Sequence, residues 1–162
     1  MRLSAGTWNL EPGTWNVKMP DILHDFPVFA SVDKVYAAVT TPEGLDAWWT
    51  ERSSGRPIEG TEYELWFGPD YDWRAVVRSA ETNRTFELEL TSASADWMGA
   101  RVGFRLQPAG DAQTQVRFYH TGWAEADDHY RTSSFCWAMY LRIMKRWVEK
   151  GEEVAYRDRL DV

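Results

Sequence analysis

Five consecutive segments of this chain alternate apolar and polar residues with period two, and one long segment of helical periodicity follows them. In the first, Tyr63, Leu65 and Phe67 oppose Glu62, Glu64 and Trp66. Tyr71, Trp73, Ala75 and Val77 then oppose Asp72, Arg74, Val76 and Arg78, and Phe86, Leu88 and Leu90 oppose Thr85, Glu87 and Glu89. Val102, Phe104 and Leu106 oppose Arg101, Gly103 and Arg105. Last, Val116, Phe118, His120 and Gly122 oppose Gln115, Arg117, Tyr119 and Thr121. Side chains alternate across a strand, so each segment reads as a strand with one apolar face and one wet face. The connections are short and turn-rich, as at Glu81-Thr82-Asn83 and Pro108-Ala109-Gly110-Asp111, which favours antiparallel pairing. Such a sheet is covered on one side only.

The helical segment supplies the cover. Asp127-Asp128 open a pattern in which Tyr130, Ser134, Trp137, Leu141, Met144 and Val148 recur every three or four residues, flanked by Tyr140 and Trp147. Lys145, Arg146 and Lys150 suit the negative end of a helix dipole, and Gly151 is a good stop. At 1.5 Å per residue this helix is ~34 Å long, enough to cross the sheet.

Ahead of the sheet, Asp21–Phe29 reads as a strand whose Pro27 suggests an edge. Ser31 is a suitable N-cap for a short helix with Val32, Val35, Tyr36 and Val39 on one stripe. Thr41-Pro42 ends it, and Pro42 starts a second short helix, PEGLDAWW. Thr50–Gly60 reads as a polar loop. The first residues differ: GTWN occurs at Gly6–Asn9 and again at Gly13–Asn16, too few copies for a repeat architecture. Residues 1–18 are therefore expected to be an extension, and 19–162, opening at Met19, one domain; a chain of 162 residues is about the size of one.

Composition narrows the function classes. Eighteen basic against 25 acidic residues leave a net charge of −7, which opposes general phosphate-backbone binding, so no nucleic-acid partner is expected. One cysteine, Cys136, excludes an internal disulfide framework. No apolar run approaches membrane-span length and the N-terminus lacks a signal-peptide core, so the expected location is the cytoplasm; the sequon Asn83-Arg84-Thr85 then carries little weight. Lipase-type, zinc-protease and nucleotide-binding motifs are absent. His24, His120 and His129 lack metal-ligand spacing, so neither metal nor cofactor is expected.

The element order, with Ala30-Ser31-Val32-Asp33-Lys34-Val35-Tyr36, Thr41-Pro42-Glu43-Gly44-Leu45 leading into Trp48-Trp49-Thr50, and His120-Thr121-Gly122-Trp123 before the Trp-rich closing helix, resembles the START-like helix-grip superfamily, also called SRPBCC. Within it the chain is similar to the branch named for the activator of the 90-kDa heat-shock protein ATPase. The resemblance covers roughly residues 19 to 158. It implies an α+β fold in which a curved antiparallel sheet grips a long C-terminal helix, with two short helices after the first strand and a cavity between sheet and helix. It says little about function, because the superfamily holds lipid carriers, polyketide cyclases, hormone receptors and co-chaperone modules.

On that architecture, Trp73, Phe104, Phe118, Trp137 and Tyr140 should point between sheet and helix, and Trp48-Trp49 should lie at the mouth. Adjacent helical residues diverge, so one of this Trp pair is expected to be exposed as a lip. By strict alternation His120 belongs to the buried face, either as a structural histidine or as a polar anchor or general base. Arg74 joins it only if a bulge turns it inward. Cys136 is read as a small buried residue. The eight candidate binding residues are thus Trp48, Trp49, Trp73, Phe104, Phe118, His120, Trp137 and Tyr140. Three functions stay open: a non-catalytic carrier of a small apolar or aromatic molecule, a cyclase- or hydrolase-type enzyme using His120, and a protein-interaction module. The eukaryotic co-chaperone carries a further N-terminal domain, so a chaperone partner is not favoured; exposed edge strands leave a homodimer open.

Overall fold

The computed structural model describes residues 19–161. Seven antiparallel strands form one curved sheet: β1 (Ile22–Val28), β2 (Arg52–Ser54), β3 (Glu62–Trp66), β4 (Asp72–Glu81), β5 (Thr85–Ser92), β6 (Arg101–Pro108) and β7 (Thr114–Thr121), in the order β1-β7-β6-β5-β4-β3-β2. Two short helices, α1 (Val32–Thr40) and α2 (Pro42–Trp48), follow β1, and α3 (Asp128–Lys150) closes the inner face. Two 3-10 turns, Ala95–Trp97 and Tyr156–Asp161, complete the elements.

The five alternating segments are β3 to β7, and β1 sits at the edge that Pro27 suggests. Parity holds along β7: Val116, Phe118 and His120 are buried, whereas Arg117 is exposed and Tyr119 half-buried. Tyr71 and Gly122, read onto the apolar face, lie just outside β4 and β7 and are exposed. On the outer face, Arg78 pairs with Glu89, and Arg101 with Glu87 and Glu89. The Thr50–Gly60 segment differs from a plain loop, because Arg52–Ser54 pairs with Glu64–Trp66 as β2. Three polar residues carry no alternation to read; the neighbouring strand alone recruits them.

Helix α3 runs between the expected ends. The Asp127 carboxylate accepts a hydrogen bond from the Tyr130 amide, and Gly151 adopts φ 67°, the left-handed stop that glycine takes without strain. Its buried residues are Ser133, Trp137, Leu141, Ile143 and Met144. Ser133 rather than Ser134 lies under the sheet, one full turn before Trp137.

Helices α1 and α2 cross at Gly44, where an added Cβ would lie 2.5 Å from the Ala37 carbonyl oxygen and 2.7 Å from the Ala38 Cα. Those are backbone atoms, which cannot swing aside. Gly44→Ala is therefore expected to destabilise the protein by about 2–3 kcal/mol despite alanine's better helix propensity. Urea denaturation checks this; unchanged or raised stability would mean that α1 and α2 do not cross this closely.

Candidate functional site

A cleft of about 330 Å3 lies between the N-terminal half of α3 and the end of the sheet where β4 begins. Trp73 reaches it from β4, Phe67 and Tyr71 from the turn ahead of that strand, and Trp97 from the 3-10 turn after β5. Trp49 closes it from the end of α2, and Tyr156 from the C-terminal turn. Helix α3 contributes His129, Thr132, Ser133, Cys136, Trp137 and Tyr140. The wall is thus mostly ring faces, with small polar side chains on α3 and Ser94 at the start of the 3-10 turn. Tyr71 and His129, both largely exposed, stand at the mouth.

The rings brace one another. Trp97 stacks on Trp137 with centroids 5.8 Å apart and meets Trp73 at 5.0 Å, while Trp137 meets Trp49 at 5.1 Å and Phe118 at 4.6 Å. Aromatic pairs at such separations contribute beyond their buried area, so the wall is preformed rather than assembled around a guest. Tyr156 is held by its hydroxyl, which donates to the Phe67 carbonyl at 2.9 Å. Behind it, buried Arg159 donates to the carbonyls of Thr50, Asp46 and Val154, pinning the C-terminal turn across α2.

His120 stands one layer behind the wall. Its ring is fully buried, edge-on to Trp97 at 4.4 Å. The Trp137 indole N–H donates to its Nδ1 at 3.0 Å. An indole nitrogen can only donate, so Nδ1 must be the acceptor, and the neutral ring carries its hydrogen on Nε2. Among the described residues Nε2 has no hydrogen-bond partner. Burial, reinforced by the nearby charge of His129, pushes the His120 pKa down to about 3.

The expected residues divide into two sets. Trp49, Trp73, Trp137 and Tyr140 line the cleft together. Trp48, Phe104, Phe118 and His120 are buried but do not line it. The expected Trp lip is absent: Trp48 and Trp49 are 0% and 4% exposed. Helix α2 ends between them, since Trp49 has φ −120° and ψ −67°, so the two side chains leave a broken helix and stack with centroids 6.0 Å apart. The Trp48 indole N–H is satisfied by the Ala38 carbonyl. A bulge does occur at Arg74, yet the guanidinium stays outside, among Asp72, Glu62 and Glu64.

Sequence reasoning passed over Trp97 and Tyr156. Trp97 lies in the segment SASADWMGA, Ser92 to Ala100, outside the five alternating segments and the helical stripes. Cys136 is half-buried and lines the cleft, with burial raising its thiol pKa. Burial, then the neighbouring Tyr156, also pushes Tyr140 up to about 12, so its hydroxyl keeps its proton at neutral pH. Among the described residues no group of three or more His, Cys, Asp or Glu is placed to hold a metal ion, and no helix is long and apolar enough to cross a membrane.

Residues 30–149 match the model of a family described as activator of Hsp90 ATPase homolog 1-like protein. The chain belongs to this family. It is also similar to a solved structure, the Aha1 dimer from Colwellia psychrerythraea, with 31% identity, a TM-score of 0.74, and coverage of 83% of this chain and 99% of that one. The protein SSP2350 from Staphylococcus saprophyticus shares the fold at 18% identity and a TM-score of 0.69, covering 83% of this chain and 96% of that one. So does CalU16 from Micromonospora echinospora, at 20% identity and 0.68, covering 87% and 82%. Comparison with curated protein sequences gives no match. The fold is the SRPBCC helix grip, an architecture consistent in general with binding small molecules.

Proposed function

We propose that this protein is a cytoplasmic, non-catalytic carrier that holds a small apolar or aromatic molecule in the cleft between the sheet and α3. The observation that carries this is the lining: eight Trp, Phe and Tyr rings converge on one preformed space of about 330 Å3, with the small polar side chains Thr132, Ser133 and Cys136 on α3 and Ser94 before the 3-10 turn. An apolar cavity of about 150 Å3 takes one benzene ring, so this cleft suits roughly two fused rings or an equivalent aliphatic body. Thr132, Ser133 and Cys136 would orient a polar edge. The lining has no Lys, Arg, Asp or Glu, and its one ionisable base, His129, is at the mouth against Asp96, with Nδ1–Oδ2 at 2.7 Å. A neutral guest follows from that chemistry.

The enzyme reading with His120 as general base has less support. The lone pair that a base needs is the one Trp137 occupies, and the ring is separated from the cleft by Trp97 and Trp137. A homodimer belongs to the same proposal, supported by the dimeric Colwellia relative and by β1 and β2, which end the sheet without a further strand among the described residues.

Native mass spectrometry of protein taken from cells, followed by organic extraction, tests the carrier reading. The expected result is a neutral apolar molecule released at up to one per chain. Extracts that match those of a variant with the cleft filled by Cys136→Phe would count against it.

A further inference from the structure

On the outer face of the sheet Asp25 opposes Arg117, Glu64 opposes Arg74 and Glu89 opposes Arg101, whereas one opposed pair brings like charges together. Arg105 on β6 stands directly opposite Arg117 on β7. Like charges at opposed positions destabilise a sheet, and each of these guanidiniums is exposed. Arg105 has no ion pair among the described residues, and its guanidinium lies 5.8 Å from the Tyr119 ring centroid. One step along, Gln107 opposes Gln115. The β4–β5 turn brings up Asn83 and Arg84, whose carbonyl accepts from the Leu106 amide at 2.8 Å. These six residues line one groove, and no carboxylate lines it with them among the described residues. Asp25 lies 3.3 Å from Arg117 and Glu81 3.3 Å from Arg84, both pairs largely exposed and screened by water, and Asp25 and Glu87 line an adjoining groove on the far side of the two arginines.

We propose that this groove binds a soluble phosphate-type oxyanion, the phosphate of a small phosphorylated molecule, between Arg105 and Arg117. Facing guanidiniums offer planar forks of N–H donors that match phosphate oxygens two at a time, and the amide side chains extend the donor set. The bound anion relieves the repulsion that the empty pair carries. In a chain of net charge −7, three arginines collected without an acid in the lining are a local exception to the overall field. The groove lies on the opposite face of the sheet from the aromatic cleft, so the two sites stand or fall separately.

Inorganic pyrophosphate is the probe, titrated at low salt and followed by calorimetry and by amide chemical shifts. Saturable binding is expected, with shifts centred on β6 and β7 and affinity falling as salt rises. Each single change, Arg105→Gln or Arg117→Gln, should weaken it about tenfold, as loss of one charge-assisted contact does. Both side chains are exposed, so the variants should fold, and Arg105→Gln should melt no lower than the parent. Cys136→Phe, which fills the cleft on the other face, should leave pyrophosphate binding unchanged. Absence of binding, equal binding by the double arginine variant, or retention on phosphatidic-acid vesicles without pyrophosphate binding would each overturn the proposal.

Discussion

Trp137→Ala is expected to destabilise this protein by about 5 kcal/mol, at the top of the range for large-to-small core changes. The ring is 2% exposed and touches Trp49, Trp97, Phe118 and His120. Truncation removes that packing and also strips the His120 Nδ1 of its donor, leaving a buried acceptor unpaired beside an Nε2 that has no partner already. Trp137→Phe separates the two effects. It keeps most of the stack and deletes only the N–H, so a loss of about 1–3 kcal/mol is expected. Urea denaturation of both variants measures this. A loss below about 0.5 kcal/mol for the alanine variant would mean that α3 does not sit on the sheet in this register.

The second large effect is acid sensitivity centred on His120. Its folded-state pKa is pushed down to about 3, against 6.5 for a free imidazole, by burial first and by His129 second. The unfolded chain therefore binds a proton through the window from about pH 6.5 to 3 that the folded protein refuses. Stability falls as pH falls through that window, by about 1.4 kcal/mol per pH unit at most, and by on the order of 5 kcal/mol in all. Between pH 7 and 5 the expected loss from this group alone is about 2 kcal/mol. His120→Gln retains an acceptor for the Trp137 indole and does not titrate. Its stability should therefore change about 2 kcal/mol less over the same interval. Parallel curves for the two proteins would mean that His120 is protonated in the fold or open to water.

These expectations show which parts of the molecule are legible in one dimension. Whether His120 is buried follows from counting alternate residues from Val116, because a strand has only two faces. That its Nδ1 accepts from Trp137 does not follow, since this depends on how far α3 slides along β7, which neither periodicity contains. Trp48 and Trp49 show the opposite limit: helix geometry separates neighbours by about 100°, but the rule lapses at the residue where the helix ends. Trp97 and Tyr156 sit in 3-10 turns, with no repeating stripe to mark their inward side. Their positions come from contacts made by segments distant in sequence, such as the Arg159 guanidinium on the Thr50 carbonyl. The sheet, the long helix and half of the cleft's expected wall are local patterns; the rest of the cleft is a product of tertiary packing.

Binding at the cleft is the central claim, and calorimetric titration with 1-naphthol, a neutral two-ring probe, tests it most directly. The parent protein is expected to take up one molecule per chain with a Kd on the order of 10 μM. Cys136→Phe, which places a ring in the same space, should bind at least about tenfold more weakly while melting within a few degrees of the parent. Equal binding by the two proteins, or none by either, would contradict the claim.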